Sequence, residues 1–316
     1  MLYIIFNTNT FVTGINLATP ILLAALGGVV CNKAGNFNIA LEGFMLIGAF
    51  SAVVGSFFFK SAILGILLAV IITVAAALLY GLFCITFKAD EIIVGFGFNM
   101  FAIAITGWLL KPVFGGQGSF YNPSTPVLNN INLPLISKIP ILNTIFSGYN
   151  IIVYLSWILI ILLYVIMYRT SLGYKLRALG ENPACLKANG LSTVKYAYLA
   201  QAIAGLTCGL AGAYLSIGSL AMFTENMTAG RGFIAVTAVI FSNAYLPVTA
   251  LASILFGFAS SVAIQSQGLG FQTQFIEMIP YVLTMIMIVL TAFKKKSTIK
   301  TKRYNKLLYK IISKVK

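Results

Sequence analysis

The chain has 316 residues, 59% of them hydrophobic and only 9% charged, with a net charge of +15 and no histidine; its mean hydropathy is +0.96. A soluble domain carries about 25% charged residues, so a soluble fold is excluded. Backbone groups in lipid are satisfied only in helices or closed barrels, and the apolar runs here are continuous rather than alternating, which selects helices.

The basic excess does not describe a nucleic-acid binder. Ten of the 21 basic residues lie in Lys294–Lys316 and five in Arg169–Tyr196, a clustering that fits positive-inside topology better than a phosphate-tracking groove. The N-terminus lacks a basic n-region, so the first span is expected to serve as the targeting signal.

The first uncharged run is Phe11–Val30, with Pro20 in its middle as a kink candidate. It leads into the polar, Gly/Asn-rich stretch Cys31–Gly43, followed by apolar Phe44–Phe59 and Ser61–Phe87 on either side of Lys60. The cluster Lys88, Asp90 and Glu91 precedes Ile92–Leu110. Each run approaches the ~20 residues that cross ~30 Å of hydrocarbon. The segment Lys111–Asn150 holds five of the nine prolines and only Lys111 and Lys138 as charges. It reads as a long external loop, a lid or a docking surface for an external partner.

Ile151–Tyr168 spans again and delivers the polar island Arg169–Tyr196, with five Lys/Arg and the single acid Glu181. Its cationic bias places it in the cytoplasm. Inside it, Asn182 suits a helix cap, Pro183 the first helical position and Gly190 a left-handed stop. A helix over Pro183–Asn189 is about 10 Å long, too short to be stable without a partner; a docking helix for a soluble motor is the working expectation.

Ala197–Ser219 spans next, and its run of Gly and Ala over Ala202–Gly218 is a close-packing feature. The knot Glu225–Gly232, a short run Phe233–Ser242, the span Pro247–Ile264, the polar loop Gly268–Gln274 and a last run Phe275–Phe293 complete the membrane part. The expected fold is therefore all-α: a polytopic transmembrane bundle of about eight to ten spans, with the N-terminus outside and the C-terminus inside. Ala34–Glu42 and Phe233–Ser242 are alternatively re-entrant half-helices, which would change that parity. Residues 1–293 form the membrane domain, with 111–150 external and 169–196 cytoplasmic. The tail 294–316 places apolar residues at helical spacing among lysines, suited to lying on an anionic leaflet; a solvated charged tail is the alternative.

No catalytic set is present. There are six acids, adjacent only at Asp90–Glu91, and no histidine for acid–base or nucleophilic work. The four cysteines are scattered without a CxxC, which argues against a zinc site or a disulfide framework, and no cofactor is implied. No GxxxxGK[ST] occurs, so any coupling to ATP belongs to another subunit.

Polar residues in or beside the spans are candidates for a solute path. Asn38 and Glu42 lie at the Asn-rich break; Glu42 is alternatively a helix-end carboxylate favoured by the dipole of its own helix. Asn226, Thr228 and Arg231 are read either as groups at a broken helix lining the path or as part of a knot closed by Glu225–Arg231 pairing. Asn226-Met-Thr also has the form of a glycosylation sequon. Asn99, among Phe96, Phe98 and Phe101, offers an amide with aromatic rings, or plain packing.

Three stretches together, Ala34–Phe50 (AGNFNIALEGFMLIGAF), Gly173–Ser192 (GYKLRALGENPACLKANGLS) and Glu225–Phe241 (ENMTAGRGFIAVTAVIF), resemble the permease subunits of bacterial ABC importers for ribose, branched-chain amino acids and nucleosides. The likeness covers nearly all of residues 11–293 and is nearest the nucleoside branch. It implies a non-catalytic permease in the bacterial cytoplasmic membrane that moves nucleosides, or a related simple sugar, inward by alternating access. The partners implied are a P-loop ATPase, a second permease subunit (homologous or identical) and an external substrate-binding lipoprotein. The segment matching Gly180–Gly190 is similar to the coupling helix that seats in the ATPase, which implies coupling roles for Gly180, Glu181, Asn182, Pro183, Ala184, Leu186, Lys187 and Gly190. NIALEG resembles the helix start near the translocation path. The sequence departs from the family at Ala40, where Gly is usual, in its less basic approach CNKAG, and at SNAYLP, which lacks the basic residue often seen there. The rival classes are a self-contained secondary transporter or channel, for which only Glu42, Glu225 and Glu277 offer intramembrane acids, and a membrane scaffold without a solute.

Overall fold

The computed structural model describes residues 8–115, 118–131, 147–218 and 222–267, together with the helical positions Met278, Val282, Met285, Ile286 and Val289. The first helices are α1 (Thr8–Lys33), α2 (Leu41–Phe59), α3 (Ala62–Gly81, extended by a π-helical turn Leu82–Thr86) and α4 (Glu91–Phe114). After the short strands β1 (Ser119–Tyr121), β2 (Asn130–Ile131) and β3 (Tyr149–Asn150) come α5 (Ile151–Arg169), α6 (Ser171–Glu181), α7 (Pro183–Ala188) and α8 (Thr193–Ile217). Strand β4 (Met222–Thr224), the 11-residue α9 (Arg231–Phe241) and α10 (Leu246–Ser266) follow.

Among the described residues, seven helices are long and apolar enough to cross a membrane: α1, α2, α3 with its π turn, α4, α5, α8 and α10. Their boundaries follow local chemistry. The Asp90 carboxylate accepts from the Ile92 and Ile93 amides to start α4, and Gly115 at φ +72° ends it. Helix α4 thus runs four residues beyond the expected boundary at Leu110. Pro112 is tolerated because it falls in the last turn, where the lost hydrogen bond no longer interrupts the helix. Asn150 caps α5 through the Val153 amide and donates to the Gly218 carbonyl, which ties the ends of α5 and α8 together.

The bundle has an inner and an outer layer. The spans of α1 and α2 are 83% buried, whereas those of α3, α4 and α5 are 28% buried. Helix α1 packs on α10, α8 and α9, and α2 on α8, α3 and α4. Lipid supplies no hydrophobic drive between helices, so close backbone approach must hold them. Gly212 of α8 shows this: a Cβ there would run into the Met45 carbonyl oxygen and reach the Ala49 nitrogen of α2 at 2.5 Å.

Both breaks in helical order lie inside the bundle. Residues 36–39 form neither helix nor strand, and α2 begins only at Leu41, so this stretch is not a half-helix. Helix α9 is short, its 11 residues rising about 16 Å, half a bilayer, but it joins the two ends of the bundle and so is not re-entrant. The ends of the bundle fix where it sits. Lys33 Nζ donates to the Asn243 carbonyl just after α9, at the end that carries α6 and α7. At the opposite end Thr10 Oγ1 donates to Gln265, and β1 pairs antiparallel with β4. The chain therefore descends from β4 through irregular residues 225–230 to mid-depth and completes the crossing as α9.

A second two-stranded sheet, β2 with β3, closes the base of the loop expected over Lys111–Asn150; residues 132–146 of that loop lie outside the described residues. So do the Gly268–Gln274 loop, Glu277 and the tail Lys294–Lys316. The last run Phe275–Phe293 is represented by its five helical positions, all with exposed apolar side chains.

Candidate functional site

The non-helical stretch between α1 and α2 leaves backbone groups that lipid cannot satisfy, and Asn38 within it and two side chains of α4 satisfy them. Glu91 of α4 accepts from the Phe37 amide at 2.5 Å. Asn38 Oδ1 accepts from the Ala40 amide and its Nδ2 donates to Gln201 Oε1 of α8, both at 2.8 Å. Asn99 of α4 acts in both directions, accepting from the Gly43 amide at 2.8 Å and donating to the Ile39 carbonyl at 3.1 Å.

Glu42 joins this break to the second one. It lies in the first turn of α2, 3% exposed, and its two oxygens accept from the Gly230 amide at 2.8 Å and the Gly232 amide at 2.5 Å. Those amides open α9. The carboxylate thus caps the free N–H groups of a second helix while sitting at the positive end of its own. Above it the 225–230 backbone turns through left-handed conformations at Asn226 (φ +54°), Ala229 (φ +47°) and Gly230 (φ +80°). The Arg231 guanidinium donates back to the Met227 and Thr228 carbonyls, at 3.0 and 3.3 Å. The exit of α9 is equally bent, with Asn243 and Ala244 at φ +51° and +53°, and Lys33 holds it there.

At the basic end, α6 and α7 form a bent pair. Asn182 caps α7 through the Ala184 amide at 3.1 Å, Pro183 fills the first turn, and Gly190 stands at φ +71°. Only Leu186 of the 181–190 stretch is buried; Glu181, Asn182, Pro183, Ala184, Lys187 and Gly190 are all exposed. Arg177 anchors α6, its guanidinium 5.2 Å from the Tyr168 ring and 4.8 Å from the Tyr174 ring. Gly180 lies against the chain just after α1: a Cβ there would strike the Lys33 carbonyl oxygen and come 2.9 Å from the Gly35 nitrogen. The projecting pair therefore abuts the very segment, 33–42, that holds α9 at both ends.

Residues 10–291 match the family described as the branched-chain amino acid transport system permease component. The chain belongs to this permease family. It is 32% identical to the guanosine ABC transporter permease protein NupQ of Bacillus subtilis (85% of this chain, 87% of the relative). Identity is also 32% to the nucleoside ABC transporter permease protein NupC of Lactococcus lactis (86% and 89%). It is 29% to the putative glucose ABC transporter permease protein TsgC13 of Haloferax volcanii (81% and 77%).

Of the six residues nominated for a solute path, the permease gathers Asn38, Glu42, Asn99, Thr228 and Arg231 around its two breaks and leaves Asn226 exposed beside them. Asn38, Glu42 and Asn99 are buried and bonded to backbone or to Gln201. Thr228 is fully buried, and its hydroxyl has no hydrogen-bond partner. The Glu225 carboxyl carbon lies 3.5 Å from where a Cβ on Gly107 of α4 would stand. Sequence reasoning missed Gln201, Glu91 and Lys33. Gln201 alone carried a signal, as the one amide in a run of small residues.

Proposed function

We propose that this permease is the membrane-spanning subunit of a bacterial ATP-driven importer for nucleosides, embedded in the cytoplasmic membrane with a second permease subunit. Its likeness to the guanosine and nucleoside permeases over more than four-fifths of the chain carries this reading. The α6–α7 end faces the cytoplasm, because Lys33, Lys88, Arg169, Lys175, Arg177, Lys187 and Lys195 gather there. The β1–β4 end faces outward and receives the solute from a binding lipoprotein.

The chain has no nucleotide-binding loop, so ATP is hydrolysed by a soluble partner seated on the exposed face of α7. Motion of α7 reaches the bundle through Gly180 against Gly35, then through 33–42 to Lys33–Asn243 at one end of α9 and to Glu42–Gly230 at the other. Helix α9, tethered at both ends by one segment, is the element that changes position. A self-contained ion-coupled carrier is disfavoured because Glu42, one of three acids available to it, is committed to α9.

The test is uptake of labelled guanosine by cells expressing the complete transporter. Glu181→Lys is expected to abolish ATP-dependent uptake while membrane insertion stays normal. Full uptake by that variant would refute the docking role. Uptake of labelled glucose without uptake of labelled guanosine would replace nucleosides with sugars as the substrate class.

A further inference from the structure

The groove between α4 and the broken crossing 225–241 joins exposed apolar side chains of α4, Ile93 and Ile103 among them, to exposed irregular polar residues. Exposed large residues on α3 within the span include Ile63, Leu67 and Ile71, and those on α5 are Ile151, Ile158, Ile161, Leu162 and Val165. Such surfaces suit lipid. On α4, Phe96, Met100 and Gly107 share one helical face, the first and last separated by 11 positions, about 16 Å along the axis. Phe233 of α9 stacks on Phe96 at one end, with ring centroids 6.2 Å apart and planes 29° apart. Glu225 lies against Gly107 at the other.

Between these contacts Met100 is 72% exposed, Phe96 51% and Phe233 38%. The irregular residues Glu225 and Asn226 are exposed on the same side. Phe96 lies about 8 Å and Gly107 about 24 Å from the start of α4, so the groove occupies the middle of the crossing. Irregular polar backbone at that depth is tolerated only where it is buried in protein or lines water. Exposed, it marks a wall of a water-filled passage.

We propose that this groove is the solute-facing wall of the permease, and that the Phe96–Phe233 pair is a stacking platform for a planar heteroaromatic ring. Two near-parallel rings present a π-face without hydrogen-bond preference, which accepts any base. The Thr237 hydroxyl, one turn beyond Phe233, supplies a polar contact for an attached sugar, and Glu225 and Asn226 line the wall about 16 Å further along it. The platform rests on the nucleoside reading above; the wall does not.

Two measurements on the complete transporter in membrane vesicles separate these claims. Cysteines introduced by Met100→Cys and Thr237→Cys are expected to react with a membrane-impermeant thiol reagent at least about tenfold faster than those from Ile161→Cys and Ile71→Cys. The parent chain, with its exposed Cys185, gives the baseline. Equal, slow labelling at all four positions overturns the wall. Guanosine is expected to slow labelling at Thr237→Cys.

Phe233→Leu is expected to raise the apparent KM for guanosine about tenfold, the scale of one lost base stack, and Phe233→Tyr to restore it. An unchanged KM in Phe233→Leu, or an equal loss in Phe233→Tyr, overturns the platform. A parent transporter that imports glucose and not guanosine overturns the nucleoside reading and the platform together, while the labelling still decides the wall.

Discussion

Replacing Glu42 by Gln changes one atom and tests how α9 is held. The carboxylate accepts two amide hydrogen bonds, one on each oxygen, in a site 3% exposed. A carboxamide keeps one acceptor and turns an NH2 group toward the other amide, so one charge-assisted bond is lost and two donors face each other without water. A charged hydrogen bond contributes about 1.5–3 kcal/mol and a buried unsatisfied group costs about 1–3 kcal/mol. Allowing for relaxation of the flanking turn, the loss at the start of α9 is about 2–4 kcal/mol. Because the bonded amides are those of Gly230 and Gly232, the loss is local, and their hydrogen exchange should accelerate about 30- to 700-fold. The amides of Leu46–Phe50, in the core of α2, should exchange at the parent rate. Transport should weaken in the same variant. Parent-like exchange at 230–234 would refute the cap, and equal acceleration throughout α2 would show a general loss of stability instead. Glu42→Asp, a methylene shorter, should retain one bond and fall between the two.

Three other changes probe the remaining supports. Gly212→Val drives a side chain into the Met45 carbonyl of α2, and overpacking of about 1–3 kcal/mol or more should appear as a lower melting temperature of the purified chain; Gly212→Ala should fall between. Asn182→Ala removes the cap of α7 at a cost of about 1 kcal/mol, and in so short a helix this should lower the maximal uptake rate at unchanged membrane abundance, whereas Asn182→Asp, which keeps a capping oxygen, should retain the parent rate. Gln201→Leu strands the Asn38 amide in a buried site, costing about 1–3 kcal/mol in thermal stability, and the double variant with Asn38→Leu should cost less than the sum of the two singles; strict additivity would remove the Asn38–Gln201 bond from the argument.

Features that are local in the chain were legible in the sequence. The cap, proline and glycine of α7 stand within nine positions and form as their spacing implies, because capping needs only neighbours. The long helices follow from run length, and the shortness of Phe233–Ser242 foretold α9. Helix α6 carried a signal too: Leu172, Leu176 and Leu179 repeat at helical spacing, but among their basic neighbours the stretch reads only as part of the polar island Arg169–Tyr196. What escaped was non-local. Glu42 meets Gly230 across 188 positions, and Asn38 meets Gln201 across 163, and no window on the chain contains both partners. The strands are only two or three residues long and follow from pairing rather than from pattern.

The same physics explains why polar residues near a break are ambiguous guides to a solute path. Irregular backbone in lipid needs hydrogen-bond partners before the fold can exist, and any Asn, Glu or Arg within reach is recruited for that purpose. Asn38, Glu42, Asn99 and Arg231 all bond to backbone groups of the two breaks. Scanning for intramembrane polarity therefore finds where the helices are broken. The surface offered to a solute is set by what the break leaves exposed. In the wall proposed here that surface is largely Phe96, Met100 and Phe233, residues that a hydropathy scan passes over as ordinary spanning side chains.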